Sequence, residues 1–130
     1  MLSITSKSPY AVRALVELHH FGESTPTPIA ELARRGEIPA QFLEQLFATL
    51  RRAGVLRSQR GVKGGYSLAR PASQITVLEV VELLDGPLGQ DAAGVFAEAA
   101  EAARVVLREA TIADLAEADA RAAGAAMYHI

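Results

Sequence analysis

Val55-Leu56-Arg57-Ser58-Gln59, followed by Arg60-Gly61-Val62-Lys63-Gly64-Gly65-Tyr66-Ser67-Leu68, is the stretch that decides the fold. Val55 to Gln59 and Tyr66 to Leu68 are two short strand-like runs around a glycine-rich loop, which predicts a β hairpin. Strands this short make no useful sheet alone, so the hairpin is an appendage to something helical. Its loop carries Arg60 and Lys63 among three glycines. Glycine lets a loop approach a backbone or enter a narrow groove, and the two cations can neutralise phosphate there. The rival reading is a nucleotide-phosphate cradle. Lys63-Gly64-Gly65 lacks the G-x-x-x-x-G-K-[ST] spacing and the following helix that such a cradle needs.

Upstream, Pro39 opens a third helix running to about Ala53, and Gly54 stops it. Phe42, Leu43, Leu46, Phe47 and Leu50 recur on its buried face, while Gln41, Glu44, Gln45, Ala48 and Arg52 occupy the opposite one. Before it comes a short second helix with Ile29, Leu32 and Ala33 as its stripe. Thr27 is its expected N-cap, Pro28 its first helical position, and Gly36 its stop. A polar turn, Glu23-Ser24-Thr25-Pro26, separates it from a first helix over roughly residues 7–21. That helix buries Tyr10, Ala11, Ala14, Leu15, Leu18 and Phe21. Ser6 or Ser8 can cap it, and Gly22 ends it.

A short helix, a tight turn near Gly36 and a helix with polar residues on its free face fit a helix-turn-helix. Gln can pair bidentately with adenine, and Glu can accept from the cytosine amino group. In a plain three-helix bundle the same side chains would only be solvated. The hairpin decides between the two, because its place after a helix-turn-helix makes a winged helix.

Downstream of Pro71, Thr76-Val77-Leu78-Glu79 reads as a capping box opening a helix with Val77, Val80, Val81 and Leu84 inside. Gly86-Pro87 breaks it. An Ala-rich helix is expected from about Asp91 to Ala110, with Val95, Phe96, Ala99, Ala103, Val106 and Ala110 on one stripe. Thr111-Ile112-Ala113-Asp114 looks like another helix start, and the tail after Ala118 is expected to fray. The stripe is small-sided, which favours close antiparallel packing with a second copy over a coiled coil. The fold class expected is mainly α with a small β hairpin. Residues 1–86 would form a winged helix-turn-helix DNA-binding domain, and residues 87–130 a helical dimerisation region.

Charge is also unevenly divided along the chain. Residues 1–75 carry ten Lys/Arg against five acids, and residues 76–130 three Arg against ten acids, which the whole-chain charge of −2 conceals. A basic segment joined to an acidic one suggests that only the first meets a polyanion. The length of 130 residues suits one domain with a modest core, extended by an oligomerisation element. No apolar run approaches a membrane span, and Met1-Leu2-Ser3-Ile4 does not resemble a signal peptide, so a soluble cytoplasmic protein is expected. The chain has no cysteine. That excludes a disulfide scaffold, a Cys nucleophile, a zinc finger and thiolate-held iron–sulfur ligation.

Other chemistry has little support. Glu17 and His20 form one Glu-x-x-His pair, whereas a di-iron bundle needs two with further carboxylates. His19 and His20 suit the C-terminal end of the first helix as cations. Ser, His and Asp occur without G-x-S-x-G, so no enzyme is expected. Tyr10, Phe21, Phe42, Phe47 and Tyr66 could stack on single-stranded bases. Phe21 and Phe47 lie on apolar stripes and read as core; Tyr10, Phe42 and Tyr66 could pack and also touch DNA.

Three stretches resemble the Rrf2 family of bacterial transcription regulators, the IscR, NsrR and CymR type. They are Thr5-Ser6-Lys7-Ser8-Pro9-Tyr10-Ala11; Phe42-Leu43-Glu44-Gln45-Leu46 with Leu50-Arg51-Arg52-Ala53-Gly54-Val55; and Arg60 to Leu68. Their order and spacing match across roughly residues 2–86, and Thr76 to Asp85 matches the helix after the wing. The resemblance implies a homodimeric winged-helix regulator, with repression the expected mode, and a long C-terminal helix forming the dimer. It places base readers at Gln41, Phe42, Glu44 and Gln45. Phosphate and minor-groove contacts fall on Ser6, Lys7, Tyr10, Arg51, Arg60, Lys63 and Gly64. Glu44 would discriminate rather than add affinity, since phosphate repels a carboxylate that finds no cytosine amino group.

The chain also departs from the family. Many members hold an iron–sulfur cluster on three cysteines between the helix after the wing and the dimer helix. That segment here is Gly86-Pro87-Leu88-Gly89-Gln90. No cofactor is therefore expected, and control would come from a small molecule or a protein partner. A ligand could lodge in an apolar crevice lined by Leu83, Leu84, Leu88, Val95 and Phe96. The partners expected are double-stranded DNA and a second copy of the chain. The alternative is a winged-helix protein–protein interaction module that binds no DNA.

Overall fold

Helix α1 (Lys7–Phe21) buries Ala11, Ala14, Leu15 and Leu18, a helical stripe at intervals of three and four, and ends at Gly22, whose φ is 103°. The computed structural model describes residues 4–22 and 25–128, with side chains as far as Gly124. The turn residues Glu23 and Ser24, and His129, lie outside the described residues, as do Met1, Leu2 and Ser3. Helix α1 touches α2 (Ile29–Gly36), α3 (Ala40–Arg52), the second strand, α4 (Val77–Asp85) and α6 (Ile112–Tyr128), so it is the axis of the fold.

Helix α2 begins one residue later than its sequence suggests, because Thr27 is taken by the wing. The Thr27 N–H donates to the Tyr66 carbonyl at 2.8 Å, and the Tyr66 N–H returns a bond to the Thr27 carbonyl at 2.9 Å. Pro28 accordingly holds the N-cap position, and the Thr27 hydroxyl donates to the Thr25 carbonyl instead of capping. Gly36 is the last helical residue rather than the stop. The left-handed residue is Glu37, with φ 54°. Gly36 supplies space: a Cβ there would lie 2.9 Å from Ile38 Cδ1, and its carbonyl accepts a 3.1 Å bond from Arg13 of α1.

The wing is an antiparallel pair, β1 (Leu56–Gln59) and β2 (Gly65–Leu68), with Leu56 opposite Leu68 and Gln59 opposite Gly65. The isolated bridge at Thr27 adds one more rung. Gly65 is required there. Its φ is 148°, and a Cβ would fall 2.3 Å from the Thr27 carbonyl carbon.

After the wing a 3-10 turn, Ala72–Gln74, leads into α4. Its capping box is half made. Thr76 Oγ1 accepts from the Glu79 N–H at 3.1 Å, but the Glu79 carboxylate accepts from Arg70 at 2.6 Å. The reciprocal box forms elsewhere, at the start of α6, where Thr111 and Asp114 exchange bonds of 3.0 and 3.1 Å.

Helix α5 (Val95–Glu109) starts later than the expected Asp91, because Gly89 and Gly94 both take positive φ and turn the chain first. Nor does the chain fray after Ala118. Helix α6 continues to Tyr128, carried by its alanines; it meets the core through Ile112 and Ala116 near its start, and residues 117–123 are exposed.

The main core gathers Leu15, Leu18, Leu32, Leu43, Phe47, Leu50, Val55, Ile75 and Val80, and Ile112 and Ala116 of α6 complete it. Deleting the Phe47 ring would cost about 3–5 kcal/mol by the usual cavity penalty. A second cluster of Val77, Leu78, Val81 and Leu88 is covered by Ala103 and Leu107 of α5 and by Ala110 just beyond it.

Candidate nucleic-acid interface

The free face of α3 is polar for a simple reason: Leu43, Leu46, Phe47 and Leu50 claim the inner face, so Gln41, Glu44 and Gln45 point to solvent. Phe42 packs against the edge of the core and keeps part of its ring in solvent. It is half-buried, with its ring 5.8 Å edge-on from Tyr10 of α1. Arg13 lies 5.6 Å over the other partner in this stack, the Tyr10 ring. The stack joins the first turns of α1 and α3. Beside it Lys7, Phe42, Gln45, Leu46, Thr49, Leu83 and Leu84 surround one open hollow. Lys7 and Gln45, a phosphate candidate and a base-reading candidate, therefore border the same depression.

Ser6 is exposed and holds the N-cap position of α1 without a side-chain cap bond. Thr5 supplies that cap, its Oγ1 accepting from the Lys7 N–H at 3.2 Å. The first turn of α1 is fixed from outside by Asp85, a residue that no local pattern singles out. Its carboxylate accepts from Thr5 and from Ser8, each at 2.6 Å. Partial burial pushes the Asp85 pKa up, but the Ser8 and Thr5 hydroxyls outweigh it, and the carboxyl ends below its ordinary value. Ser8, offered as a possible cap, is a buried donor to Asp85. A bond between residues so far apart in sequence leaves no local signal. The same holds for Arg13, whose bond to the Gly36 carbonyl ties α1 to the helix-turn-helix turn.

The wing loop projects Arg60, Gly61, Val62 and Lys63 into solvent, with Val62 fully exposed. Phe47 and Tyr66, rings 5.2 Å apart, fasten β2 to α3 beneath it. Gly64 is explained by the hairpin itself, since a Cβ there would sit 2.2 Å from the Gln59 carbonyl oxygen. Arg51 is exposed in the last turn of α3, where a cation also suits the helix dipole. Arg51, Arg60 and Lys63 form no ion pair among the described residues, unlike Arg34 and Arg35, which both bind Glu31. Those two guanidiniums hold the Glu31 carboxyl below its usual range.

The expected dimer stripe divides. Ala103 and Ala110 turn inward against α4, while Val95 (68 % exposed), Phe96 (64 %), Ala99 and Val106 (66 %) face solvent. Val105 joins them at 37 % exposure. The crevice expected from Leu83, Leu84, Leu88, Val95 and Phe96 is also divided. Leu83 and Leu84 border the α3 hollow, Leu88 is buried under α5, and Val95 and Phe96 point outward. The break at Gly86-Pro87 and the two later turns send these residues to different faces.

Comparison with known proteins places this geometry. The model of the Rrf2 family, described as "Iron-dependent Transcriptional regulator", matches residues 4–92. The HTH-type transcriptional regulator IscR of Cronobacter sakazakii is 43% identical over 84 residues, covering 65% of this chain and 52% of that protein. The chain thus spans about half the length of the curated relatives it matches. Among solved structures, CymR of B. subtilis, titled the global cysteine regulator, superposes with a TM-score of 0.81 at 30% identity, covering 90% of this chain and 98% of that one. IscR of T. potens gives 0.79 at 35% identity, covering 91% and 88%.

Iron dependence does not fit the donors on this chain. It has no thiolate, and the described residues bring no three His, Asp or Glu side chains together as a metal site. The segment from Gly86 to Gln90 contains no sulfur, imidazole or carboxylate ligand. His19 and His20 face one another at 6.2 Å between ring centres, and His20 Nε2 lies 3.5 Å from Asp119.

Proposed function

The chain belongs to the Rrf2 family of transcriptional regulators, and from that membership we propose that it is a sequence-specific DNA-binding regulator, acting in the cytoplasm as a homodimer on a pseudo-palindromic operator. The observation that carries the reading is the junction of α1 and α3. Tyr10 stacks on Phe42, and Lys7 and Gln45 border one hollow, so a phosphate anchor and a base reader present themselves together. Gln41, Glu44 and Gln45 read base edges in the major groove, with Phe42 supporting them. Ser6, Lys7, Tyr10 and Arg51 hold the backbone, and Arg60, Lys63 and Gly64 meet it from the wing. Residues 1–86 carry these contacts, and residues 87–130 carry the dimer.

Repression is the mode proposed, and control comes from a small ligand or a protein partner rather than from an iron–sulfur cluster, since the chain has no thiolate to hold one. The test is made on protein purified without oxygen, from which bound genomic fragments are recovered and titrated with salt. Linear loss of log affinity with log salt is the expected result, from colourless protein with no stoichiometric iron. Binding without salt dependence would favour the protein-interaction alternative. Visible charge-transfer absorption with stoichiometric iron would overturn the cluster-free control.

A further inference from the structure

Asp85 is the last residue of α4, yet its carboxylate reaches the start of α1. Oδ1 accepts from the Thr5 hydroxyl and Oδ2 from the Ser8 hydroxyl, both at 2.6 Å. Ser8 is 1% exposed, so its hydroxyl has no ready alternative in water. Thr5 Oγ1 passes the constraint on by accepting from the Lys7 N–H at 3.2 Å. Bonds from hydroxyls to an ionised carboxylate are charge-assisted and short, as these are. A negative charge this near a phosphate-binding turn works against DNA through Coulomb repulsion. Its position therefore has to be explained by something other than its charge.

We propose that Asp85 is a positioning residue for DNA binding, fixing the first turn of α1 so that Ser6 and Lys7 reach phosphate and coupling that turn to the chain leading into α5. The coupling follows from its place. Asp85 stands immediately before Gly86, whose φ of 85° ends α4, and the turns beyond lead directly to α5. A shift of α5 that pulled on the end of α4 would move the two acceptor oxygens and, with them, the turn bearing Lys7. The inference rests on the DNA-binding reading of Ser6 and Lys7 given above.

Charge and position predict opposite signs. If Asp85 acted only as a nearby charge, removing it would tighten DNA binding; as a positioning residue, its removal weakens binding. The experiment uses the full chain and a duplex selected from genomic fragments by the wild-type protein, titrated with potassium chloride. Asp85→Ala is expected to bind more weakly, as the Ser6 and Lys7 contacts are lost, and to lower the log–log salt slope by about one per bound chain, the share of the Lys7 charge. Asp85→Asn keeps an acceptor oxygen and is expected to retain most of the slope. Thr5→Val combined with Ser8→Ala leaves the charge but breaks both bonds, and should reproduce Asp85→Ala. If Asp85→Ala does not fold by circular dichroism, this double variant against Asp85→Asn makes the same comparison. Tighter binding, or a lowered melting temperature with an unchanged slope, would overturn the proposal. A wild-type chain that binds no duplex in a salt-dependent way refutes the DNA reading itself, and the proposal with it.

Discussion

Single side chains in the proposed interface divide into those that add affinity and those that choose a sequence. Lys63 stands on an exposed loop without an ion-pair partner among the described residues, so its charge is available to any phosphate. Lys63→Ala should weaken binding to specific and random duplexes alike and lower the salt slope by about one. Glu44, exposed on α3, brings a carboxylate to a polyanion and gains only where a cytosine amino group answers it. Glu44→Ala should relax the base preference, a discrimination worth about 1–3 kcal/mol, without loss on random DNA. Equal losses for both variants on both duplexes, measured by fluorescence anisotropy, would overturn the assignment of reader and anchor. Gly65 is a third kind of residue, fixed by geometry. Gly65→Ala would press a methyl group onto the Thr27 carbonyl at a position of φ 148°, and should destabilise the fold by about 1–3 kcal/mol or more in urea titration.

At the scale of elements, the first three helices and the hairpin were legible because each is announced locally. The stripe of α1, the polar free face of α3 and the glycines of the wing are all patterns within about fifteen residues. What the sequence misplaced depended on distant partners. Thr27 looked like a helix cap and is a rung of the wing, because Tyr66 presents a free backbone edge to it. Glu79 looked like half a capping box and is held by Arg70. Of the candidate site, the wing and the face of α3 could be read from residue type and spacing. The Asp85 joint could not, since it links α4 to residues near the start of the chain. That joint has a pH signature. The folded-state pKa of Asp85 lies below its unfolded value, so its contribution is fully present above about pH 4, the ordinary carboxylate range, and is lost as pH falls through the lowered value. Asp85→Asn should therefore show a flatter loss of stability below about pH 4 than the wild type, followed by denaturant midpoints at stepped pH. Parallel curves would mean that the carboxylate contributes nothing in the folded state.

Across the whole molecule, the proposed DNA-binding and dimerisation regions differ in the surface they expose. The three helices and wing carry the cations, and α5 carries an apolar face that one copy of the chain leaves uncovered at Val95, Phe96, Ala99, Val105 and Val106. Exposed apolar groups gathered on one small-sided helix mark an association surface, and alanine lets two such helices approach closely. Pairing through a two-fold axis would set the recognition helices about one DNA turn apart, roughly 34–36 Å, or a multiple of it. Val106 is the residue to test, because its side chain is outward and packs in neither core cluster. In a two-fold interface Val106→Glu introduces two like charges at once, one from each copy, and desolvates both. Light scattering at micromolar concentration should report a dimer for the wild type and a monomer for this variant. Circular dichroism should be unchanged, since an exposed position gives up no core packing. Affinity for a half-site duplex should also stay the same. Affinity for the full operator should fall by about a hundredfold or more, since the second half-site is no longer bound at the effective concentration that the tether supplies. A wild-type monomer, or a Val106→Glu variant still dimeric and at full operator affinity, would remove α5 as the dimer element and leave its exposed face to a different partner.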